Sequence, residues 1–195
     1  MAIIRTRCVL LIAFLTAALV TMAYAKKSAK KPVPPRPVPP TPVPPTPVTI
    51  FTFLSGNKEV PKNVTKASRS PVGDPTGKAY LTLTIYKQDD QPVWLEYTVQ
   101  AENMQYGVAP SIARVHNGTA GSNGPKVLDL PCKYRFSMDN NWWQCTNSLG
   151  KKTEERTEKF VSVLKAILTD PGAFYVNIYT VMRPDGAVRG QIGEV

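Results

Sequence analysis

After Thr49 the apolar and polar residues alternate with a period of two through most of the chain. Tyr80 to Tyr86 is the clearest case: Leu81, Leu83 and Ile85 share one face, and Thr82 and Thr84 the other. Trp94 to Val99 repeats the pattern with Leu95, Tyr97 and Val99. Asp89-Asp90-Gln91-Pro92 between them reads as a turn, so the two runs form an antiparallel hairpin. TIFTFLSG is a further strand ending at Ser55-Gly56. Ile112 to His116 and Lys126 to Leu130 are short strands flanking a glycine-rich loop, Asn117 to Pro125. Near the end, Tyr175, Asn177 and Tyr179 alternate with Val176, Ile178 and Thr180, the pattern of a half-buried strand. Pro184-Asp185-Gly186 then reverses the chain. In the returning strand Val188, Gly190 and Ile192 face one way, and Arg189 and Gln191 the other.

One segment has the helical period instead. Within Thr153 to Leu168, Phe160, Leu164 and Leu168 recur every four residues, with Val161, Val163 and Ile167 alongside. Glu154, Glu155 and Glu158 lie near its start, where the helix dipole favours them, and Asp170-Pro171-Gly172 ends it. Asn57 to Gly77 reads as a long polar loop. Cys132 to Cys145 reads as an irregular loop carrying Trp142 and Trp143. The expected fold is all-β with one helix, an antiparallel Greek-key sandwich or barrel over residues 49–195.

The pattern is different before residue 49. Arg5 and Arg7 precede an apolar run from Val9 to Val20, and Ala23-Tyr24-Ala25 follows. A core of about a dozen residues suits a signal peptide and is short of the ~20 needed to span a membrane. Residues 1–25 are therefore read as a signal peptide, and the chain as secreted and extracellular. No later run has spanning length. Residues 26–48 form a basic linker in which KPVPPRPVPPTPVPPTPV holds ten of the chain's 19 prolines. Proline fixes φ and removes the backbone donor, so an extended polyproline II spacer is expected there, outside any sheet.

The formal charge of +10 is unevenly distributed. Seven basic residues lie in the signal and linker, leaving 17 of the 24 against all 14 acidic ones from Val48 onward. A nearly balanced domain gives no reason to expect nucleic acid. The basic arm suits an extracellular polysaccharide, a matrix or a surface protein, although a solubilising tail has the same composition. With Cys8 in the signal, Cys132 and Cys145 remain and are expected to pair. Asn63-Val64-Thr65 and Asn117-Gly118-Thr119 are N-glycosylation sequons.

Three segments resemble one family. LSGNKEVP (Leu54 to Pro61) is similar to the opening L-S-G-x-x-E-V-P of the CHRD domain, the module named from chordin. ARVHNGTAGSNGPKVLDL (Ala113 to Leu130) resembles its A-H-I-H-x-G-x-x-G-x-N-G-P segment. YVNIYT followed by PDGAVRGQI resembles Y-V-N-V-H-T and P-x-G-x-I-R-G-Q-L. The resemblance implies a secreted β-domain with no general reaction attached. The family often has three histidines, and here they correspond to Arg114, His116 and Tyr179. His116 is the sole histidine of the chain, and one histidine cannot supply the three or four ligands of a closed metal shell. No metal and no cofactor is expected.

The candidate binding residues are Arg114, His116, Asn177, Tyr179 and Arg189, as a remnant polar pocket, with Trp142 and Trp143 able to stack on sugars. Packing is the competing reading for the tryptophans, and loop-fixing for the polar set. Asn177 and Arg189, on opposite-running strands, are expected to be neighbours. No nucleophile spacing, phosphate loop or carboxylate pair selects a catalytic reaction. The leading expectation is a non-enzymatic binding or structural module. The alternatives are a superoxide-dismutase-like metal protein centred on His116 and an extracellular antagonist or carrier of a protein ligand.

Overall fold

The computed structural model describes residues 43–61 and 73–194, so the expected signal peptide, most of the expected linker and the sequon at Asn63 lie outside the described residues. Nine strands form one antiparallel sheet: β1 (Thr46–Ser55), β2 (Lys78–Gln88), β3 (Gln91–Glu102), β4 (Pro110–Asn117), β5 (Lys126–Leu130), β6 (Arg135–Ser137), β7 (Trp142–Leu149), β8 (Phe174–Thr180) and β9 (Val188–Gln191). Their order across the sheet is β5-β4-β8-β9-β1-β2-β3-β7-β6. The sheet curls strongly into a half-barrel, accompanied among the described residues by one α-helix, α1 (Glu158–Thr169). An antiparallel β-fold with a single helix is what the alternation predicts.

The core follows the period-two pattern. Leu81, Leu83 and Ile85 of β2, and Leu95, Tyr97 and Val99 of β3, are each at most 1% exposed. From α1, Phe160, Leu164 and Ile167 complete this core. Leu168 is only partly buried, so Ile167 takes the place expected of it. At roughly 25 cal/mol per Å² of apolar surface, each of these aliphatic side chains contributes about 1.5–3 kcal/mol.

Several expectations need correction. The helix begins at Glu158, after a separate 3-10 turn at Thr153–Glu155. Thr157 caps it by accepting the Phe160 N–H (3.2 Å), while Glu155 accepts the Gly150 N–H and Arg156 donates to the Gly150 carbonyl. The turn residues are thus tied to Gly150, and only Glu158 lies in the helix's first turn. The segment between the cysteines contains β6 and the start of β7, so Trp142 and Trp143 are strand residues. The strand β1 begins at Thr46, inside the expected linker, and Pro47 pairs with Tyr86. Proline is tolerated there because β9 meets β1 only at Ser55, which leaves the other edge of β1 open beside Pro47. The turn after β2 is Asp89-Asp90, both at positive φ, while Gln91 and Pro92 belong to β3. A bulge at Tyr86/Lys87 accommodates Pro92.

Cys132 and Cys145 form a disulfide across a separation of 13 residues. The bridge ties the segment before β6 to β7. In the loop-entropy account, Cys132→Ser/Cys145→Ser is expected to lower stability by about 2–3 kcal/mol, read as a lower urea midpoint with a slope no smaller than that of the bridged protein.

Candidate functional site

The strands β4, β8 and β9 lie side by side, and their register assembles the site. Arg114 pairs with Asn177 and Asn177 with Arg189; His116 pairs with Tyr175 and Tyr175 with Gln191. Residues two apart share a face. Five of the seven candidate residues, Arg114, His116, Asn177, Tyr179 and Arg189, therefore stand together, with Asn177 and Arg189 neighbours as expected.

Both ring nitrogens of His116 are engaged. The Nδ1 atom lies 3.0 Å from the Gly124 carbonyl, which can only accept, so Nδ1 carries the proton. The Nε2 atom lies 3.0 Å from the Tyr179 hydroxyl, which donates to it when the ring is neutral. Burial pushes the Tyr179 phenol above its ordinary value, which keeps that donor protonated. The imidazole also stacks on Tyr175 (4.9 Å, 11°), and the Arg114 guanidinium lies 4.9 Å from the Tyr179 ring. The three positions that resemble the family's histidines thus meet, as an arginine, a histidine and a tyrosine bonded or stacked on one another.

Arg189 is 2% exposed and lies 3.4 Å from the Tyr175 ring centroid. It donates to the Ser122 carbonyl (2.6 Å), the Thr119 carbonyl (3.2 Å) and Asn123 Oδ1 (3.2 Å). Burial holds its pKa below the ordinary arginine value. Gln191 donates to the Gly118 and Phe174 carbonyls, both at 2.8 Å. Tyr175 accepts the Gly124 N–H (3.2 Å). In turn, Asn123 donates to the Val60 and Pro61 carbonyls, and Asn177 donates to Glu59 (3.1 Å). The loop 117–125 is therefore clamped onto the sheet, together with the segment after β1. This cover explains why every residue of β8 is buried, where alternation predicts a strand with one open face.

Sequence reasoning missed Glu59, Asn123, Tyr175 and Gln191 as clamp members. Each lies inside a motif quoted above, but a motif does not show which partner across the sheet its residues meet. A cleft of about 370 Å³ remains beside the clamp, lined by Lys58, Glu59, Gly121, Arg189, Gln191 and Glu194 among others. Among the described residues no three His, Cys, Asp or Glu side chains gather as a metal site.

Trp142 and Trp143 lie apart from this cluster, in β7, five strands from β8 in the sheet order. They point to opposite faces because they are consecutive in a strand. Trp143 packs against the core and on Phe136 (5.0 Å), and both indoles are half-buried. The structure does not bring them together as one stacking surface.

At the margin of the cluster, Asp129 accepts from Lys126 (2.7 Å) and Arg114 (3.2 Å). The bond from Lys126, followed by the charges of Lys126 and Arg114, holds this carboxyl below its ordinary range. A folded pKa below the unfolded one stabilises the fold above the unfolded value, and that contribution fades as pH falls through about 4 toward the folded pKa. The side chain is 42% exposed, so solvent screening keeps the effect under ~1 kcal/mol. Asp129→Asn is expected to remove part of the stability difference between neutral and acid pH, measured by urea unfolding at each.

The family model described as the CHRD domain matches residues 50–192. No curated protein and no solved structure matches the chain.

Proposed function

Since the chain belongs to the CHRD domain family, we propose that it is a non-enzymatic extracellular binding module, held at a matrix, wall or cell surface by its basic proline-rich arm. The observation that carries this reading is the engagement of the polar cluster. His116, Tyr179, Arg189 and Gln191 all bond to loop main chain or to one another. Side chains committed in this way hold a surface in shape and are poorly placed to turn over a substrate. The surface they hold is the glycine-rich loop, in which Thr119, Ala120, Gly121 and Asn123 are exposed. Such rigidly presented loops are where binding functions concentrate.

The remaining features fit a secreted chain. Asn117 is exposed at the end of β4, open to a glycan. No helix of the described residues is long and apolar enough to cross a membrane. The test is retention of the mature protein on its native extracellular material, with and without residues 26–42. The deletion stops at Pro42 so that β1 remains whole. Salt-sensitive retention that falls on deletion supports the tether. Equal retention of both forms would refute it.

A further inference from the structure

A second cavity, far from the clamp, lies beside β7. It is a groove of about 750 Å³ lined by Pro131, Cys132, Lys133, Arg135, Gln144, Cys145, Thr146 and Asn147. Its only charged lining residues are Lys133 and Arg135. Both are exposed, and among the described residues neither has an ion pair. Four other described lysines are paired: Lys58 to Glu194, Lys87 to Asp90, Lys126 to Asp129 and Lys151 to Glu96. Two unmatched cations in one carboxylate-free groove make it a local positive site in a nearly balanced domain.

The groove is also held in shape. The disulfide fixes Cys132 to Cys145 on its floor. The Pro131 carbonyl accepts the Tyr97 hydroxyl and the Asn147 amide (2.8 Å). These ties fix the backbone that carries Lys133 and Arg135 beside Gln144 and Thr146, so binding has only the side chains left to order.

The edge of β7 decides between two kinds of anionic chain. β6 pairs only with Trp142 to Gln144, and beyond that point the outer edge of β7 has no strand. An acidic peptide would add there as a strand through its main chain. That route is obstructed. Asn147 Oδ1 takes the Ser148 N–H (2.9 Å), while its amide group bridges to Pro131. What the groove offers is side chains: two cations, the Gln144 carboxamide and the exposed Thr146 hydroxyl, which also bonds Thr98 (3.0 Å). Those groups recognise carboxylates and hydroxyls spaced along a sugar chain.

We propose that this groove is the binding site for an acidic polysaccharide of the polyuronate class. The inference rests on the extracellular-module reading and gives that module a ligand class and an address. The test uses the full mature chain in which Lys26, Lys27, Lys30, Lys31 and Arg36 are replaced by glutamine, so that the arm's charge does not mask the groove. Binding to polygalacturonate, dextran sulfate, neutral dextran and polyglutamate is measured by calorimetry. Polygalacturonate is expected to bind and neutral dextran not to. Lys133→Glu/Arg135→Glu, both exposed, should weaken polygalacturonate about tenfold or more. Gln144→Ala/Thr146→Ala should weaken polygalacturonate more than dextran sulfate, because it removes sugar contacts and leaves the charge.

Unchanged binding by the charge-reversed variant would overturn the proposal. So would a preference for polyglutamate, which would assign the groove to acidic protein. The same variants, carrying the native arm, are assayed for retention on extracellular material. Retention without polyuronate binding sinks the groove and leaves the module reading standing. Polyuronate binding without retention does the reverse.

Discussion

Arg189→Ala should destabilise the domain by about 4 kcal/mol. The guanidinium is buried, stacks on Tyr175 and donates to three oxygens of the loop 117–125. Its removal takes the donor from the Ser122 carbonyl and the Asn123 amide oxygen, leaves the Thr119 carbonyl only its bonds from Ser122, and opens a void beside an aromatic ring. A hydrogen bond to a charged group contributes about 1.5–3 kcal/mol, and a stranded buried acceptor costs 1–3 kcal/mol, with strong overlap between the terms. Arg189→Lys should recover only part of the loss, since one ammonium cannot reproduce the planar fork. Urea unfolding gives the magnitude. Hydrogen exchange gives the location: amides of residues 117–125 should lose protection before those of β2 and β3. Uniform loss across the sheet would contradict the clamp.

Gly124→Ala should be comparably damaging, at about 3 kcal/mol or more. A Cβ built on Gly124 falls 1.5 Å from the Asn117 carbonyl oxygen. The obstacle is backbone, and the Asn117 N–H is at the same time bonded to the Pro125 carbonyl (3.0 Å). The loop base cannot widen without breaking that bond and withdrawing the Gly124 carbonyl from His116. The expected readout is therefore double: a lower unfolding midpoint, and a shift of the His116 ring resonances in the native state. Full native stability with unchanged His116 signals would show that the loop base is looser than its geometry requires.

Much of the architecture was legible because one face of each central strand is buried. Leu81, Leu83 and Ile85 against Thr82 and Thr84 could only be a strand with a core side. The pattern is lost where both faces have partners. In β7, Trp142, Trp143, Gln144 and Cys145 show no alternation, and the cysteine pair suggested a loop instead. Pro47 looked incompatible with any strand, because a proline's tolerance depends on whether the neighbouring edge is occupied, and that is settled by β9, more than a hundred residues later. The site was legible as a set of residues but not as a device. Arg114, His116, Asn177, Tyr179 and Arg189 were identifiable, and alternation placed Asn177 against Arg189. The bond from Tyr179 to His116 spans 63 residues of sequence and follows from the β4–β8 register, which periodicity does not specify. The same holds for Glu59, which reaches Asn177 across 118 residues.

The place of β1 in the sheet also bears on how the chain reaches its native state. Hairpins such as β2–β3 pair neighbours in sequence. The strand β1, by contrast, sits between β2 and the final strand β9, with the Phe53 N–H bonded to the Glu194 carbonyl (2.9 Å). The approach at that junction is close: a Cβ at Gly190 would lie 2.3 Å from the Phe53 oxygen. The first and last strands of the domain therefore meet in mid-sheet, and the half-barrel cannot close before β9 is present. Sequence-distant pairing of this kind slows folding. That delay keeps the sheet open along β1 until its last strand is available to pair.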